Sequence, residues 1–372
     1  MPKTVSIELE LPHVEAVHRV LNRGELTEGP ETALLESEFA HWLGVDQERV
    51  VAVSSGTSAL TALLVAHRID RAVDEVIVPA FCFTAAGLAV LRAGATPVLA
   101  DVDATWTLSP EAVGEALTDR TRAVIGVDLH GVPADWDKIE HAVPEKTILI
   151  EDACPAYGAC YYGDKAGTLG RDGAAFSLNE SKQLPGGEGG LVVAPAKIAE
   201  KVRALRCFGE QPEAADLRRS SLPGDNWKVT EMAAAIARAS LDGLSDRVMT
   251  AKLVGQEVRR AAASSLLDPH PIPDGAEPSW FKLRLSASDP GAAERAAQYL
   301  AQEGVPIRSG EVAPLPHHPL FAARGYSFPG AEKALSSFCI GSRGKPVFTA
   351  SWPQTESWVK VIRSLPNELV SP

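Results

Sequence analysis

Cysteine is scarce in this chain of 372 residues, and the five present (Cys82, Cys154, Cys160, Cys207 and Cys339) form no C-x-x-C pair and no Cys/His ligand spacing. An odd, unspaced set argues against a disulfide framework and a structural zinc site, so buried reduced thiols and no metal are expected. Positive charge is also short, with 36 Lys and Arg against 48 Asp and Glu and a net charge of −12. A chain this acidic has no overall attraction to a phosphate backbone, and nucleic acid is not an expected partner. Long apolar runs are missing as well. The longest, around residues 85–99, is broken by Arg92 and Gly94 and is too short to span a bilayer. The first residues carry one early Lys and no apolar stretch of signal-peptide type. No membrane partner is therefore expected, and the chain reads as cytoplasmic. Repeats of 20–50 residues and low-complexity tracts are absent, which excludes a solenoid. No G-x-G-x-x-G opens a helix after the first strand, which argues against a nucleotide-binding dehydrogenase.

What is present is a rhythm. Hydrophobic residues make up 45% of the chain, enough for a large core with a smaller lobe appended. Short apolar runs at 48–55, 74–80, 96–103 and 122–131 each lead into an amphipathic segment, and a fifth run, TILIEDACP (147–155), ends at a turn. Strands of nearly continuous apolar character alternating with helices predict an α/β fold with a large, doubly wound, mostly parallel sheet covered on both faces. Ligands bind such sheets beyond the carboxyl ends of the strands. After about residue 195 the pattern turns helical, and the Pro-rich stretch 269–278 introduces a strand-then-helix unit over 279–304. The expected organisation is an N-terminal arm (1–15), a large domain (16–245) and a smaller C-terminal α/β domain (246–372), with the site where the two lobes meet.

Three segments carry chemistry. Ser54-Ser55-Gly56-Thr57-Ser58 lies where an apolar strand gives way to a helix, so glycine, hydroxyls and free helix amides together suit a phosphate, although a plain N-cap has the same composition. Ile150-Glu151-Asp152 puts two carboxylates at the end of a buried strand. A buried acid is costly without a cation or donors, so Asp152 is a candidate partner for a protonated heterocycle nitrogen, or else a strand-end turn residue. Ser177-Leu178-Asn179-Glu180-Ser181-Lys182 leads into the glycine-rich stretch 186–190. A lysine enclosed by such a turn can lose its proton and act as a nucleophile able to form a Schiff base.

These segments, with Glu75-Val76-Ile77-Val78-Pro79-Ala80-Phe81-Cys82-Phe83 and Gly224-Asp225-Asn226-Trp227-Lys228, resemble in order the DegT/DnrJ/StrS-type aminotransferases, fold-type I pyridoxal phosphate enzymes that aminate keto sugars and keto cyclitols. The resemblance runs from about Gly24 through the helix after Asn226. It implies that Lys182 binds the cofactor covalently and shuttles the proton, and that Asp152 keeps the pyridine nitrogen protonated and the ring an electron sink. Gly56, Thr57, Ser58 and Ser177 would bind the cofactor phosphate, and Phe83 would stack on the ring. Asn226 would reach the phosphate of the neighbouring subunit, making a homodimer with a shared active site the working unit. The implied reaction moves an amino group from glutamate or glutamine to a ketone on a polyhydroxylated ring, and SKQLPGGEGG is closer to the secondary-metabolite, antibiotic-type branch. Related dehydratases carry histidine where this chain has Lys182, so lysine favours transamination.

Departures from the family pattern accompany the matches. Pro155 stands where Gln or His is usual, Asp128 where a histidine is usual, and His130 where a tyrosine is usual. The last two read as substrate-facing changes or as surface drift. Arg203 and Arg206 are candidates for an anionic group or members of a solvated helix face, and Arg308, His317 and His318 are candidate substrate contacts. Two rivals stay open: a dehydrative or aromatising synthase on the same scaffold, which Pro155 leaves open, and a non-catalytic cofactor-binding regulator.

Overall fold

The computed structural model describes residues 10–212, 218–309, 312–322, 327–341 and 346–370. The first nine residues of the expected arm lie outside the described residues. Residues 11–15, assigned above to the arm, are helical, because Pro12 sits where a helix start lacks a partner for its amide anyway.

The chain alternates as its apolar runs imply. Helices α1 (Leu11–Arg23) and α2 (Pro30–Leu43) precede β1 (Val50–Val53), α3 (Gly56–Ala66), β2 (Glu75–Pro79), α4 (Ala85–Ala93) and β3 (Thr96–Ala100). Then follow α5 (Pro110–Ala116), β4 (Thr121–Val127), α6 (Trp136–Ala142), β5 (Ile148–Asp152), β6 (Gly173–Ser177), β7 (Gly190–Val193) and α7 (Ala196–Arg206). The seven strands form one sheet in the order β1-β7-β6-β5-β4-β2-β3. All pairings from β6 across to β3 are parallel, whereas β7 runs antiparallel to both β1 and β6. Every residue of β1, β2 and β7 is buried, as a sheet covered on both faces requires.

Helices α8 (Glu231–Leu241) and α9 (Leu244–Ala263) lead to a second, antiparallel sheet of β8 (Leu283–Ser286), β9 (Ile307–Ser309) and β10 (Ser337–Ile340), with β10 in the middle. Around it lie α10 (Pro290–Gln302), α11 (Pro329–Lys333) and α12 (Trp352–Arg363). The boundary expected at residue 245 falls inside α9. Its early residues Leu244 and Val248 pack with Phe39 and Tyr157, whereas Val254 and Val258 pack with Phe338 and Trp358 around the second sheet. One continuous helix thus belongs to both cores.

Beneath the sheet's carboxyl edge, Phe39, Tyr157 and Phe176 meet with ring centroids 4.8–6.2 Å apart. Such pairs add about 0.5–1.5 kcal/mol each beyond area burial. The Tyr157 hydroxyl also donates to the Ser177 carbonyl at 3.0 Å, which fixes the end of β6. The start of α2 is held from far along the chain: the buried Glu231 carboxylate accepts from the amides of Glu31 (2.8 Å) and Thr32 (2.9 Å). These are orphan donors of a helix start whose N-cap, Gly29, has no side chain.

Candidate active site

The carboxyl ends of β1, β4, β5 and β6 and the turn after β2 open on a cavity of about 350 Å³, whose opposite wall comes from the C-terminal lobe. At the end of β1, Ser55 is extended and accepts from the Ser58 amide at 3.0 Å, while Ser58 Oγ accepts from the Ser55 amide at 2.9 Å. This reciprocal capping box opens α3 and leaves Gly56 and Thr57 lining the cavity with helix-start amides. A Cβ at Gly56 would lie 2.7 Å from Cys154 Sγ and 3.0 Å from Ser177 Cβ, so glycine alone lets the helix start close against the loops after β5 and β6. Ser58 is buried, its hydroxyl is engaged in the box, and it does not line the cavity. The phosphate-type composition of this segment and its capping function coexist, but on different residues.

Asp152 is the last residue of β5 and is 5% exposed. Its Oδ1 accepts from the Cys154 amide at 3.1 Å. Burial pushes its carboxyl above the ordinary range, outweighing the hydrogen bonds from Cys154 and the charge of Lys182 that oppose the shift. A carboxylate in this position is stabilised by a cation in the cavity. Lys182 is carried by the turn after β6, where its amide donates to the Asn179 carbonyl at 2.9 Å and the Asn179 side chain accepts from Ser181. Its ammonium sits 4.4 Å from the centroid of the Phe281 ring. Ser177 lines the cavity beside it, and so does Phe83, a large aromatic that is 63% exposed, which burial would not favour without a partner for its face.

Of the residues singled out in the sequence, Gly56, Thr57, Phe83, Asp152, Ser177 and Lys182 therefore share one cavity, and Ser58 and Asn226 do not line it. Asn226 is exposed, and its backbone bridges Cys207. The departures also find places. Pro155 lines the cavity. Asp128 is fully buried rather than on the surface, with Oδ1 accepting from the Ala134 amide (3.0 Å) and Trp136 Nε1 (3.1 Å). Burial, and then the adjacent Glu151, push its carboxyl well above the ordinary range. His130 lines the cavity and is buried, with a left-handed φ of 60°. Burial, and then the charges of Arg284 and Lys282, hold its imidazole well below the usual pKa and so neutral.

Arg203 and Arg206 lie away from the cavity and are neither anion site nor solvated face. Arg203 donates to the carbonyls of Glu48 and Val50, while Arg206 donates to the Ala52 carbonyl and to Glu36 Oε1 (2.6 Å), which pins α7 to β1. His317 pairs with Glu332 on the surface, His318 does not line the cavity, and the Arg308 side chain lies outside the described residues.

Sequence reasoning missed Asn179, Glu188, Phe281 and Lys282, all of which line the cavity. Phe281 and Lys282 read as the start of a strand, and no local signal marks a residue brought in by lobe packing. Among the described residues no group of His, Cys, Asp and Glu could hold a metal, and no helix is long and apolar enough to cross a membrane.

The residues present fit pyridoxal phosphate: helix-start amides and Ser177 for a phosphate, a buried carboxylate for a ring nitrogen, an open aromatic face, and an amine within the same cavity. Comparison with known proteins agrees. A family model described as the DegT/DnrJ/EryC1/StrS aminotransferase family matches residues 9–340. The chain is 34% identical over 340 residues to the erythromycin biosynthesis sensory transduction protein EryC1 of Saccharopolyspora erythraea, with 88% of each covered. In structure it is similar to the aminotransferase TlmJ from Streptoalloteichus hindustanus, with a TM-score of 0.88, 28% identity and all of both chains covered. It is also similar to a 3-amino-5-hydroxybenzoic acid synthase, with a TM-score of 0.87, 25% identity, and 96% and 97% of the two chains covered.

Proposed function

The chain belongs to the DegT/DnrJ/EryC1/StrS aminotransferase family and is a pyridoxal-phosphate-dependent aminotransferase, and on that premise we propose that it moves an amino group from glutamate or glutamine to a keto sugar or keto cyclitol in secondary metabolism. The observation that carries the site assignment is the joint presence of Lys182, buried Asp152 and the open start of α3 in one cavity. When bound, pyridoxal phosphate supplies an electrophilic carbon and a ring that accepts an electron pair.

In this reading each residue has a separate task. Gly56 and Thr57 offer α3 amides, and Ser177 a hydroxyl, to the phosphate. Asp152 Oδ, poorly solvated, would pair with the ring nitrogen and favour its protonated form. Phe83, exposed in the cavity, would cover one ring face and exclude water from it. Lys182 Nζ would hold the cofactor covalently and, as an amine in the same cavity, would carry the proton taken from the substrate carbon. Asn226 would reach the phosphate of a second copy of the chain across a homodimer, a role supported by its exposure and its absence from the lining of its own cavity.

The test is spectral: the absorbance of the bound cofactor is followed on addition of glutamate, glutamine or other amino donors, and then of keto sugars and cyclitols. Conversion by a donor and reversal by a ketone are expected in the wild type, and Lys182→Ala abolishes both turnover and the bound chromophore. Absence of conversion with every donor would defeat the transaminase reading and favour the aromatising alternative, which the likeness to 3-amino-5-hydroxybenzoic acid synthase and the donor-free Pro155 support.

A further inference from the structure

We propose that Gln183 is a positioning residue for Lys182, tying the lysine-bearing turn to the C-terminal lobe so that the amine is held against the Phe281 ring. The inference rests on the reading of Lys182 as the residue that holds the cofactor, and it concerns a side chain that does not itself line the cavity. Gln183 follows Lys182 directly and is 1% exposed. It is held at both ends. Its backbone carbonyl accepts from Arg247 Nε at 2.8 Å, and Arg247 belongs to α9, the helix shared by the two cores. Its side-chain Nε2 donates to the Ser279 carbonyl at 3.1 Å, 96 positions along the chain. That acceptor fixes the orientation of the amide, because the reverse one would set two oxygens face to face. Among the described residues Oε1 has no hydrogen-bond partner. Burying an amide with its acceptor unpaired works against stability, so what favours glutamine over an apolar residue of its size is the contact that Nε2 makes.

Ser279 opens the segment 279–282, which is clamped onto the loop after β4 as well. The Ser279 amide donates to the Gly131 carbonyl at 2.9 Å, and the Lys282 amide to the His130 carbonyl at 3.3 Å. A Cβ at Gly131, whose φ is +88°, would lie 2.9 Å from the amide nitrogens of Trp280 and Phe281, so the two loops touch backbone to backbone. Trp280 (φ 46°) is left-handed without being glycine, a conformation that persists only where its surroundings enforce it. Phe281 therefore has little freedom relative to Ser279, and Gln183 joins Ser279 to the residue beside Lys182.

The result is a Phe281 ring centroid 4.4 Å from the Lys182 ammonium. A ring face at that distance favours the cationic form of an amine. The bond that Gln183 makes thus bears on how readily Lys182 gives up its proton, without Gln183 touching the amine. Charged and titratable groups stand around the same turn: Asp152 and Cys154 after β5, His130 after β4, Glu188 in the glycine-rich stretch, Arg247 on α9, and Lys282, whose ammonium lies 5.0 Å from the Phe281 centroid. None of these is replaced in the variants that follow.

The test follows, as a function of pH, the rate at which the cofactor-free protein regains its bound chromophore when pyridoxal phosphate is added. Only the unprotonated amine condenses with a carbonyl and releases water, so the rate tracks the amine form of Lys182, and Lys182→Ala gives no chromophore. The ionisation of pyridoxal phosphate itself is common to all variants and drops out of their differences. Phe281→Leu, which keeps an apolar wall and removes the ring face, is expected to lower the half-maximal pH by roughly 0.4–1.5 units. Gln183→Met, which keeps the bulk and removes the donor, is expected to lower it in the same direction. The double variant should go no further than the larger single shift, as two substitutions acting on one contact require. Gln183→Asn, polar but one methylene short of Ser279, takes the place of Gln183→Met if that variant does not fold, with the same result expected. The proposal is overturned if the folded Gln183 variant titrates as the wild type does, if the two single shifts add in the double variant, or if Phe281→Leu shifts nothing. Regaining the chromophore needs no turnover, so a failure of the aminotransferase reading shows separately, as no conversion by any amino donor.

Discussion

Mild acid should loosen the junction between the two lobes through one histidine. His270 is buried, its ring stacked on Trp106 with centroids 4.6 Å apart, and its Nδ1 bonded to the Arg284 carbonyl at 3.1 Å. Trp106 belongs to the large core, while Arg284 lies on β8 of the second sheet, so the ring sits at the seam. Two cations are close by: Arg259, which donates to the His270 carbonyl, and Arg284, whose guanidinium lies over Phe81 and Trp106. Burial above all, together with these charges, lowers the imidazole from 6.5 to about 3. A group lowered on folding takes up its proton more readily in the unfolded chain, so its contribution is complete above 6.5 and is lost as pH falls below it. At pH 5 the loss is 1.5 pH units at ~1.36 kcal/mol each, or ~2 kcal/mol. Urea unfolding of the apoenzyme, followed by tryptophan fluorescence at neutral pH and at pH 5, measures it. Other histidines contribute to the wild-type loss, so the decisive quantity is the difference from His270→Gln, which retains an amide donor for the Arg284 carbonyl. The wild type should lose ~2 kcal/mol more than the variant over this interval. Equal losses in the two proteins would refute the buried, neutral His270 and with it the acid sensitivity of the seam.

Two further outcomes follow from buried carboxylates of opposite character. Asp152 is raised by burial, so it lowers the stability of the cofactor-free protein as pH rises through its folded value. Asp152→Asn should therefore melt higher than the wild type as apoenzyme at neutral pH, yet turn over on the order of 10²–10³-fold more slowly when loaded. A melting temperature that falls instead would mean the carboxylate is satisfied without the cofactor. Glu231→Ala removes the acceptor of two α2 amides and of the Thr32 hydroxyl, and should cost about 3 kcal/mol in urea unfolding, part of which Glu231→Gln returns.

Legibility in the sequence followed range. The runs 74–80 and 147–155 became β2 and β5 because continuous apolar character and a following turn are local properties. The placement of Gly56, Asp152 and Lys182 in one cavity is legible for the same reason, each lying at a strand end with distinctive neighbours. Ser58 was assigned to the phosphate because its composition suits either role, and only the capping box separates a hydroxyl turned back on the helix from one facing the cavity. Asp128 and His130 could not be placed, since nothing in their neighbours distinguishes a buried acid from a surface one. Phe281 and Lys282 enter the site about 100 residues from Lys182 through contacts between loops, and periodicity carries no trace of that.

The distant cap on α2 also bears on how the molecule is made. Thr32 and Glu231 are 199 positions apart, so at 5–20 residues per second about 10–40 s pass between the synthesis of that helix start and the arrival of its acceptor. The neighbouring strand β1 is in the same position, because among the described residues its one partner in the sheet is β7, whose register joins Val50 to Val193. The amino-terminal segment thus leaves the ribosome with its edge strand and the first amides of α2 unmatched, and both wait for residues made much later. A nascent chain halted before residue 190 would present that strand to other chains, and substitutions in α2 should show first as lost yield on expression rather than as lost turnover in the protein that survives.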